Sequence, residues 1–333
     1  MVFAGCQQAA PQKAPEQVVK DGIKGLTAVT SYEFEMAMKG DLTGPSGQTP
    51  AAVKFNFALG GSADMKDNND PKINLKFDGS GGADDQSASG SAEFRMNKDA
   101  LYFTLAKLDT KGGQPLPKEM VDKYIGKWWK IVIPPNALKE FTASLPQGGS
   151  QQNLTPEQQK LKDLFEKTQF FKNIKFVAVE DVKGEQSAHY SADLDKDAFM
   201  AFAEEAAKLK DGTVLSDADR KDMQDAMKKF DFMGNIWVGQ TSGVLNQVSG
   251  DIKLAGTSAS EPSGTISMRV TLWNFNKPVT IQIPADAQEF PIGGLLGGMM
   301  GDPSAGASLD SSAMMPIPTD SPIPAPVGIT DSN

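Results

Sequence analysis

The feature that most constrains the fold is the alternation of apolar and polar residues in five successive segments between residues 31 and 105. The segments carry Tyr32, Phe34, Met36 and Met38; Val53, Phe55, Phe57 and Leu59; Ile73, Leu75 and Phe77; Ala92, Phe94 and Met96; and Leu101, Phe103 and Leu105. A period of two is typical of a β-strand with one buried and one solvated face. Turns rich in Gly, Pro, Asp and Ser, including a loop predicted over 78–87, separate the segments, so the sequence predicts an antiparallel meander.

The remainder of the chain mixes helices with further strands. Helices are predicted over 15–29, with Pro15 in the first turn, and over 118–124. Three more are predicted to begin after the N-cap residues Thr155, Asp195 and Ser216. The predicted strands cover residues 127–133, 176–180, 187–194, 235–240, 244–254, 265–275 and 279–283. In the 127–133 strand the adjacent Trp128 and Trp129 must face opposite sides of the sheet.

Together these elements predict an α+β fold in one domain over residues 15–289. A sheet of about ten antiparallel strands must curl, and amphipathic helices need an apolar surface to cover. We therefore expect a curved antiparallel sheet, a half-open β-barrel, with three or four helices packed on its concave face.

The two ends of the chain differ from this domain. The only cysteine, Cys6, follows Phe3, Ala4 and Gly5, which resemble the end of a bacterial lipobox, and residues 1–14 are predicted to be a lipobox and flexible tether after a signal peptide. Attachment of lipid at Cys6 would anchor the chain to a membrane, because two acyl chains are enough for stable anchoring. Residues 290–333, rich in Gly and Pro and lacking Lys and Arg, predict a disordered acidic tail.

Charge and composition exclude several functional classes. The 333 residues include 33 Lys and Arg against 42 Asp and Glu, a net charge of −9, which argues against nucleic acid as a partner. The only histidine, His189, rules out a multi-histidine metal site, and no Gly-x-Ser-x-Gly elbow or phosphate-binding loop occurs. We expect no catalytic residues, no metal and no cofactor.

The order of several segments resembles the LolA, LolB and LppX-type bacterial lipoprotein and lipid carriers. The similar segments are the helix-into-strand opening over 18–38, Ala100 to Leu105 followed by Gly126 to Ile131, Asn235 to Val238, and Asn276 to Val279. The resemblance covers most of residues 15–289. It implies a curved sheet that holds an acyl chain between sheet and helices, without shared catalytic residues.

Two hypotheses of function remain open from the sequence. The first is a lipid-anchored carrier at the extracytoplasmic face of a bacterial membrane, whose ligand is a lipid or the acyl chains of a lipoprotein. Strand phase gives the candidate ligand-binding residues Phe34, Met36, Phe55, Phe57, Phe94, Phe103, Trp129 and Trp237. The second is a structural lipoprotein of the cell envelope with a filled core that binds an envelope protein partner. Both predict the same alternation of residues, so the sequence does not separate them.

Overall fold

The computed structural model describes residues 13–43, 52–67, 70–83, 85–112, 118–133, 155–212, 214–256 and 263–290. Cys6 and the predicted lipobox, and the predicted tail from residue 291 onward, lie outside the described residues. Among the described residues, no helix has both the length and the apolar composition needed to cross a membrane.

Five helices occur in this part of the chain: α1 (Pro15–Leu26), α2 (Lys118–Tyr124), α3 (Pro156–Lys167), α4 (Lys196–Asp211) and α5 (Asp217–Lys229). The predicted caps of α4 and α5 are confirmed. The Asp195 side chain accepts hydrogen bonds from the backbone N–H groups of Asp197 and Ala198. Ser216 and Asp219 form a reciprocal capping box.

The described strands are β1 (Ser31–Thr43), β2 (Ala52–Asp64), β3 (Lys72–Ala83), β4 (Gln86–Met96), β5 (Ala100–Lys111), β6 (Trp128–Val132), β7 (Phe171–Val182), β8 (Glu185–Leu194), β9 (Phe230–Gly239), β10 (Leu245–Leu254), β11 (Ser263–Trp273) and β12 (Gln288–Glu289). They form one open, curved sheet in the order β12-β6-β5-β4-β3-β2-β1-β11-β10-β9-β8-β7. All neighbours are antiparallel except β12 and β6.

This architecture agrees with the predicted curved antiparallel sheet but corrects its size. Twelve strands and five helices occur among the described residues, against about ten strands and three or four helices predicted. The length of two strands is corrected as well, because β3 continues to Ala83 and β4 begins at Gln86 within the stretch predicted as a loop over 78–87. Small residues such as Gly81, Gly82 and Ser87 were assigned to a turn by composition, yet they pair in register across the hairpin.

The best-packed core lies between α1 and the half of the sheet that contains β7 to β10. Val19 of α1, Ile236 of β9 and Tyr190 of β8 are each at most 2% exposed. Helix α1 approaches β9 and β10 closely at Gly22, where a Cβ atom would lie 3.0 Å from the methyl groups of Val238. The absence of a side chain at Gly22 therefore sets how closely the helix and the sheet pack.

After β11 the chain crosses the ends of several strands to reach the far edge of the sheet. We call residues 274–290 the strap. Its Asn276 N–H donates to Ser31 O, and Arg95 of β4 donates to Gln282 O. The strand predicted over 279–283 is wrong, because this part of the strap forms no ladder and lies between Pro278 and Pro284.

Candidate ligand-binding surface

From β1 to β5, one face of the sheet carries apolar side chains and glycine except near the strand ends, where Tyr32, Gln86 and Thr110 lie. Register fixes this face, because Met36 is opposite Leu59, Leu59 is opposite Phe77, and Phe77 is opposite Ala92. The apolar face consists of alternate residues from Phe34 to Leu42 on β1, Val53 to Ala63 on β2, Ile73 to Gly81 on β3 and Ala88 to Met96 on β4, together with Leu101, Phe103, Leu105 and Leu108 on β5.

Most side chains of the apolar face are half-buried. The described helices make their main contacts with the sheet at β5, β7, β9 and β10. Helix packing in the described residues is therefore concentrated away from β1 to β4. The apolar face thus combines the composition of a core with partial access to solvent, a combination that marks binding surfaces.

A groove of about 420 Å³ runs over this face. Its floor is formed by the small residues Gly79, Gly81, Ala88, Gly90 and Ala92 of β3 and β4. Phe55, Phe57 and Phe77 form one wall, and Leu105 and Leu108 form the other. Side chains that stand perpendicular to a sheet leave a channel wherever the central strands carry none, and this channel follows the strand direction.

An aromatic cluster closes one end of the groove. Beyond Ala92 and Leu105, the next residues on the apolar face are Phe94 and Phe103, whose rings are stacked with centroids 6.4 Å apart. Trp129 of β6 lies opposite Phe103 of β5 and is 5% exposed. Rings from outside the sheet, those of Tyr124 at the end of α2 and Phe290 at the end of the strap, complete the cluster.

Seven of the eight predicted ligand-binding residues lie on the apolar face or on its continuation onto β6. They are Phe34, Met36, Phe55, Phe57, Phe94, Phe103 and Trp129. Phe55 and Phe57 line the groove itself, whereas Phe103 and Trp129 belong to the aromatic cluster. The predicted opposition of the two adjacent tryptophans is also found, because Trp128 lies on the other face beneath the Arg95 guanidinium, 4.6 Å from its ring centroid.

Trp237 is the exception, and its predicted strand phase is corrected by the structure. Its neighbours Ile236 and Val238 belong to the core under α1, so Trp237 lies on the opposite face. The indole ring stacks on the His189 imidazole with centroids 4.2 Å apart and planes 12° apart. Trp237 therefore takes no part in the groove.

A small polar network surrounds this stacked pair. Trp237 Nε1 donates to Glu180 Oε2 at 2.8 Å, and Glu180 Oε1 lies 3.1 Å from His189 Nδ1. His189 Nε2 lies 2.9 Å from Asn235 Oδ1. The hydrogen bond from Trp237, followed by the one from His189, holds the pKa of Glu180 below its ordinary value, although partial burial opposes this. Both ring nitrogens of the histidine have partners, so the network fastens β7 to β8 and β9.

Sequence reasoning missed the floor of the groove and its closed end. The floor residues Gly79 and Gly81 fell in a predicted loop, and Phe290 was assigned to the tail. A signal existed in the alternation of Ser and Gly or Ala from Ser87 to Ala92, which is a period-two pattern of small residues. In the described residues, no group of three or more His, Cys, Asp or Glu side chains could hold a metal ion.

Comparison with known proteins finds similarity at the level of structure. Neither a family model nor a curated protein matches the sequence. The chain is similar to the lipoprotein LppX of Mycobacterium tuberculosis, with 13% identity and a TM-score of 0.28 over 82% of this chain and 100% of LppX. It is also similar to LprF of Mycobacterium bovis, with 14% identity and a TM-score of 0.33 over 83% of this chain and 100% of LprF.

A third similar structure is the MucA/MucB complex of Pseudomonas aeruginosa, with 8% identity and a TM-score of 0.27 over 82% of this chain and 62% of that one. The resemblance to LppX that the sequence indicates is confirmed, in that LppX and LprF are among the structures similar to this chain. Such low TM-scores give no information about the ligand or the partner of this chain.

Proposed function

We propose that this chain is a non-enzymatic lipoprotein that binds or carries a hydrophobic ligand, the acyl chain of a lipid or of a lipoprotein. The observation that carries the proposal is the apolar face of β1 to β5, which is built like a core yet only half-buried. Water at such a surface is displaced favourably by hydrocarbon, at roughly 25 cal/mol for each Å² removed from water.

The lining favours hydrocarbon over polar ligands. The middle of the apolar face carries no polar side chain, because Tyr32, Gln86 and Thr110 lie at its ends. A hydroxyl or amide of a ligand buried along the middle would therefore find no side-chain partner there. Burying a polar group without a hydrogen bond costs about 1–3 kcal/mol in proteins. A methylene chain carries no such cost and fits a channel whose floor is glycine and alanine.

The proposal of binding without catalysis rests on the one histidine. His189 lies on the opposite face from the groove and is held by Glu180 and Asn235. A general base must reach the reacting group by hydrogen bond. The groove is lined mainly by apolar side chains and glycine, and the polar residues Asn56, Ser80, Ser89 and Ser91 that border it include no carboxylate, histidine or cysteine.

Native mass spectrometry of the full-length chain tests this function. We expect purified protein from a bacterial host to carry bound lipid, which dissociates on mild activation and is identified by its mass. After delipidation the protein should take up a fatty acid again. Repeated preparations that show only the mass of the apoprotein, and that bind no fatty acid, would contradict the proposal.

Anchoring at Cys6 is a separate part of the proposed function. We propose that lipid attached to Cys6 holds the chain at the extracytoplasmic face of a bacterial membrane, based on the small residues that precede this cysteine. Metabolic labelling with an alkyne fatty acid should mark the wild-type chain but not Cys6→Ser. Equal labelling of the two chains, or labelling of neither, would contradict attachment at this position.

One observation favours a second candidate, a structural lipoprotein that binds an envelope protein. Phe290 and Tyr124 already cover the end of the apolar face at Phe103 and Trp129. If other parts of the chain fill the groove in the same way, the face is a core. Cross-linking of the full chain in cells, followed by identification of the partner, would favour this candidate if the delipidated protein also fails to bind fatty acids.

A further inference from the structure

The aromatic cluster at the closed end of the groove includes one residue of the strap, Phe290, which does not belong to the meander. The Phe290 ring meets Phe103 edge-on with centroids 5.1 Å apart and Trp129 with centroids 5.6 Å apart. Its centroid also lies 6.0 Å from that of Tyr124. Three aromatic side chains therefore hold one ring of the strap against the apolar face.

The backbone that carries this ring is held by few interactions. Strand β12 contains only Gln288 and Glu289, both exposed, and pairs with β6 in parallel. Beyond this pairing, the Phe290 N–H donates to Lys130 O at 2.9 Å. Two residues of parallel edge pairing stabilise a chain weakly, since parallel pairing is slightly less stable per residue than antiparallel pairing. The aromatic contacts of Phe290 therefore add to these few backbone hydrogen bonds in holding the end of the strap.

The position of Phe290 relates directly to the groove. Along β4 and β5 the apolar face passes from Ala92 and Leu105 at the end of the groove to Phe94 and Phe103. A ligand chain that follows the groove in this direction meets the pair Phe94 and Phe103 next, and Phe290 covers Phe103. A longer chain can gain contact with Phe103 and Trp129 only where Phe290 leaves them.

We propose that Phe290 is a movable end wall of the groove that sets the length of acyl chain the protein prefers. This inference rests on the proposed binding of an acyl chain in the groove. Chains that end before Phe103 bind with the strap in place, while longer chains must displace Phe290 and lose its three ring contacts. Each methylene buried adds about fourfold to affinity, so affinity should rise with chain length and then level off where the wall is reached.

The experiment measures affinity for a homologous series of saturated fatty acids, from decanoate to tetracosanoate, by displacement of a fluorescent fatty acid from the full chain. Phe290→Ala removes the wall, Phe290→Trp enlarges it, and Val279→Ala alters the same strap at a residue that makes none of these ring contacts. We expect the length at which affinity levels off to increase in Phe290→Ala, decrease in Phe290→Trp and stay unchanged in Val279→Ala.

The outcomes separate this inference from the proposed function. If wild type binds fatty acids and all three variants level off at the same length, the end wall is contradicted while lipid binding stands. If wild type binds no fatty acid of any length, the proposed function fails, and the end wall fails with it. If Phe290→Ala unfolds at a lower temperature than wild type, Phe290→Trp still tests the end wall, since that variant retains an aromatic ring. Its affinity should level off at a shorter chain length than that of wild type.

Discussion

The ring of Phe55 on β2 lies directly over Gly40 on β1, its paired neighbour, with no room between ring and backbone for a Cβ atom. Phe77 makes a different contact, because its ring edge would meet a Cβ on Gly79, two residues along the same strand, at 2.7 Å. Gly40 lets the Phe55 ring lie along the sheet toward β1 instead of standing into the groove. Gly40 therefore helps to keep the groove open.

Gly40→Ala should turn the Phe55 ring into the groove, because the new methyl group takes its place. We expect affinity for a fatty acid to fall about tenfold and the free energy of unfolding to fall by about 1–3 kcal/mol, as in overpacked cores. Gly60→Ala on β2 is the matched control, since its Cβ would meet only Phe34 O, at 3.7 Å. Equal affinity in the two variants would show that Phe55 does not shape the groove.

Glu180→Gln should make stability less dependent on pH. Because the folded-state pKa of Glu180 is lowered, its carboxylate stabilises the protein above its ordinary pKa of 4.5, and this contribution is lost as pH falls through the folded value. The carboxylate is 45% exposed, so the effect at neutral pH should be about 1 kcal/mol or less. Urea unfolding between about pH 6 and about pH 2 measures it. If the free energies of unfolding of wild type and Glu180→Gln differ by the same amount at every pH in this range, the lowered pKa of Glu180 is contradicted.

Tyr190→Phe should leave stability unchanged or raise it. The Tyr190 hydroxyl is buried in the core under α1 and has no hydrogen-bond partner among the described residues. Burial also raises the pKa of this phenol. An unsatisfied buried polar group costs about 1–3 kcal/mol, so its removal should raise the free energy of unfolding by about 1 kcal/mol. A loss of more than that amount on thermal or urea unfolding would reveal a partner for the hydroxyl.

The apolar face could be predicted from sequence because the opposite face of β1 to β4 is mostly polar. In such strands alternation alone fixes the phase, and Phe34, Met36, Phe55 and Phe57 were placed correctly relative to one another. β9 is different, because Ile236, Trp237 and Val238 are all buried at 7% exposure or less. A strand covered on both faces has no alternation to read, which explains the misplacement of Trp237.

The groove and its end wall depend on relationships that sequence patterns do not carry. The floor exists because small residues on β3 and β4 come opposite one another, as Gly79 does with Gly90 and Gly81 with Ala88. Phe290 reaches Trp129 only because the strap crosses to the far edge of the sheet, a contact across about 160 positions of the chain. Neither local propensity nor periodicity contains that information.

The most direct test of the account compares two leucine substitutions on neighbouring strands that face opposite sides of the sheet. Ala92→Leu on β4 places a side chain in the floor of the groove. Lys76→Leu on β3 places the same side chain on the other face, at an exposed residue next to Phe77, which pairs with Ala92. The measurement is equilibrium binding of a fluorescent fatty acid to the delipidated full chain, with thermal unfolding to confirm that both variants are folded. The account predicts at least a tenfold loss of affinity in Ala92→Leu and wild-type affinity in Lys76→Leu. Equal affinity in the two variants, or a greater loss in Lys76→Leu, would contradict the claim that the apolar face holds the ligand.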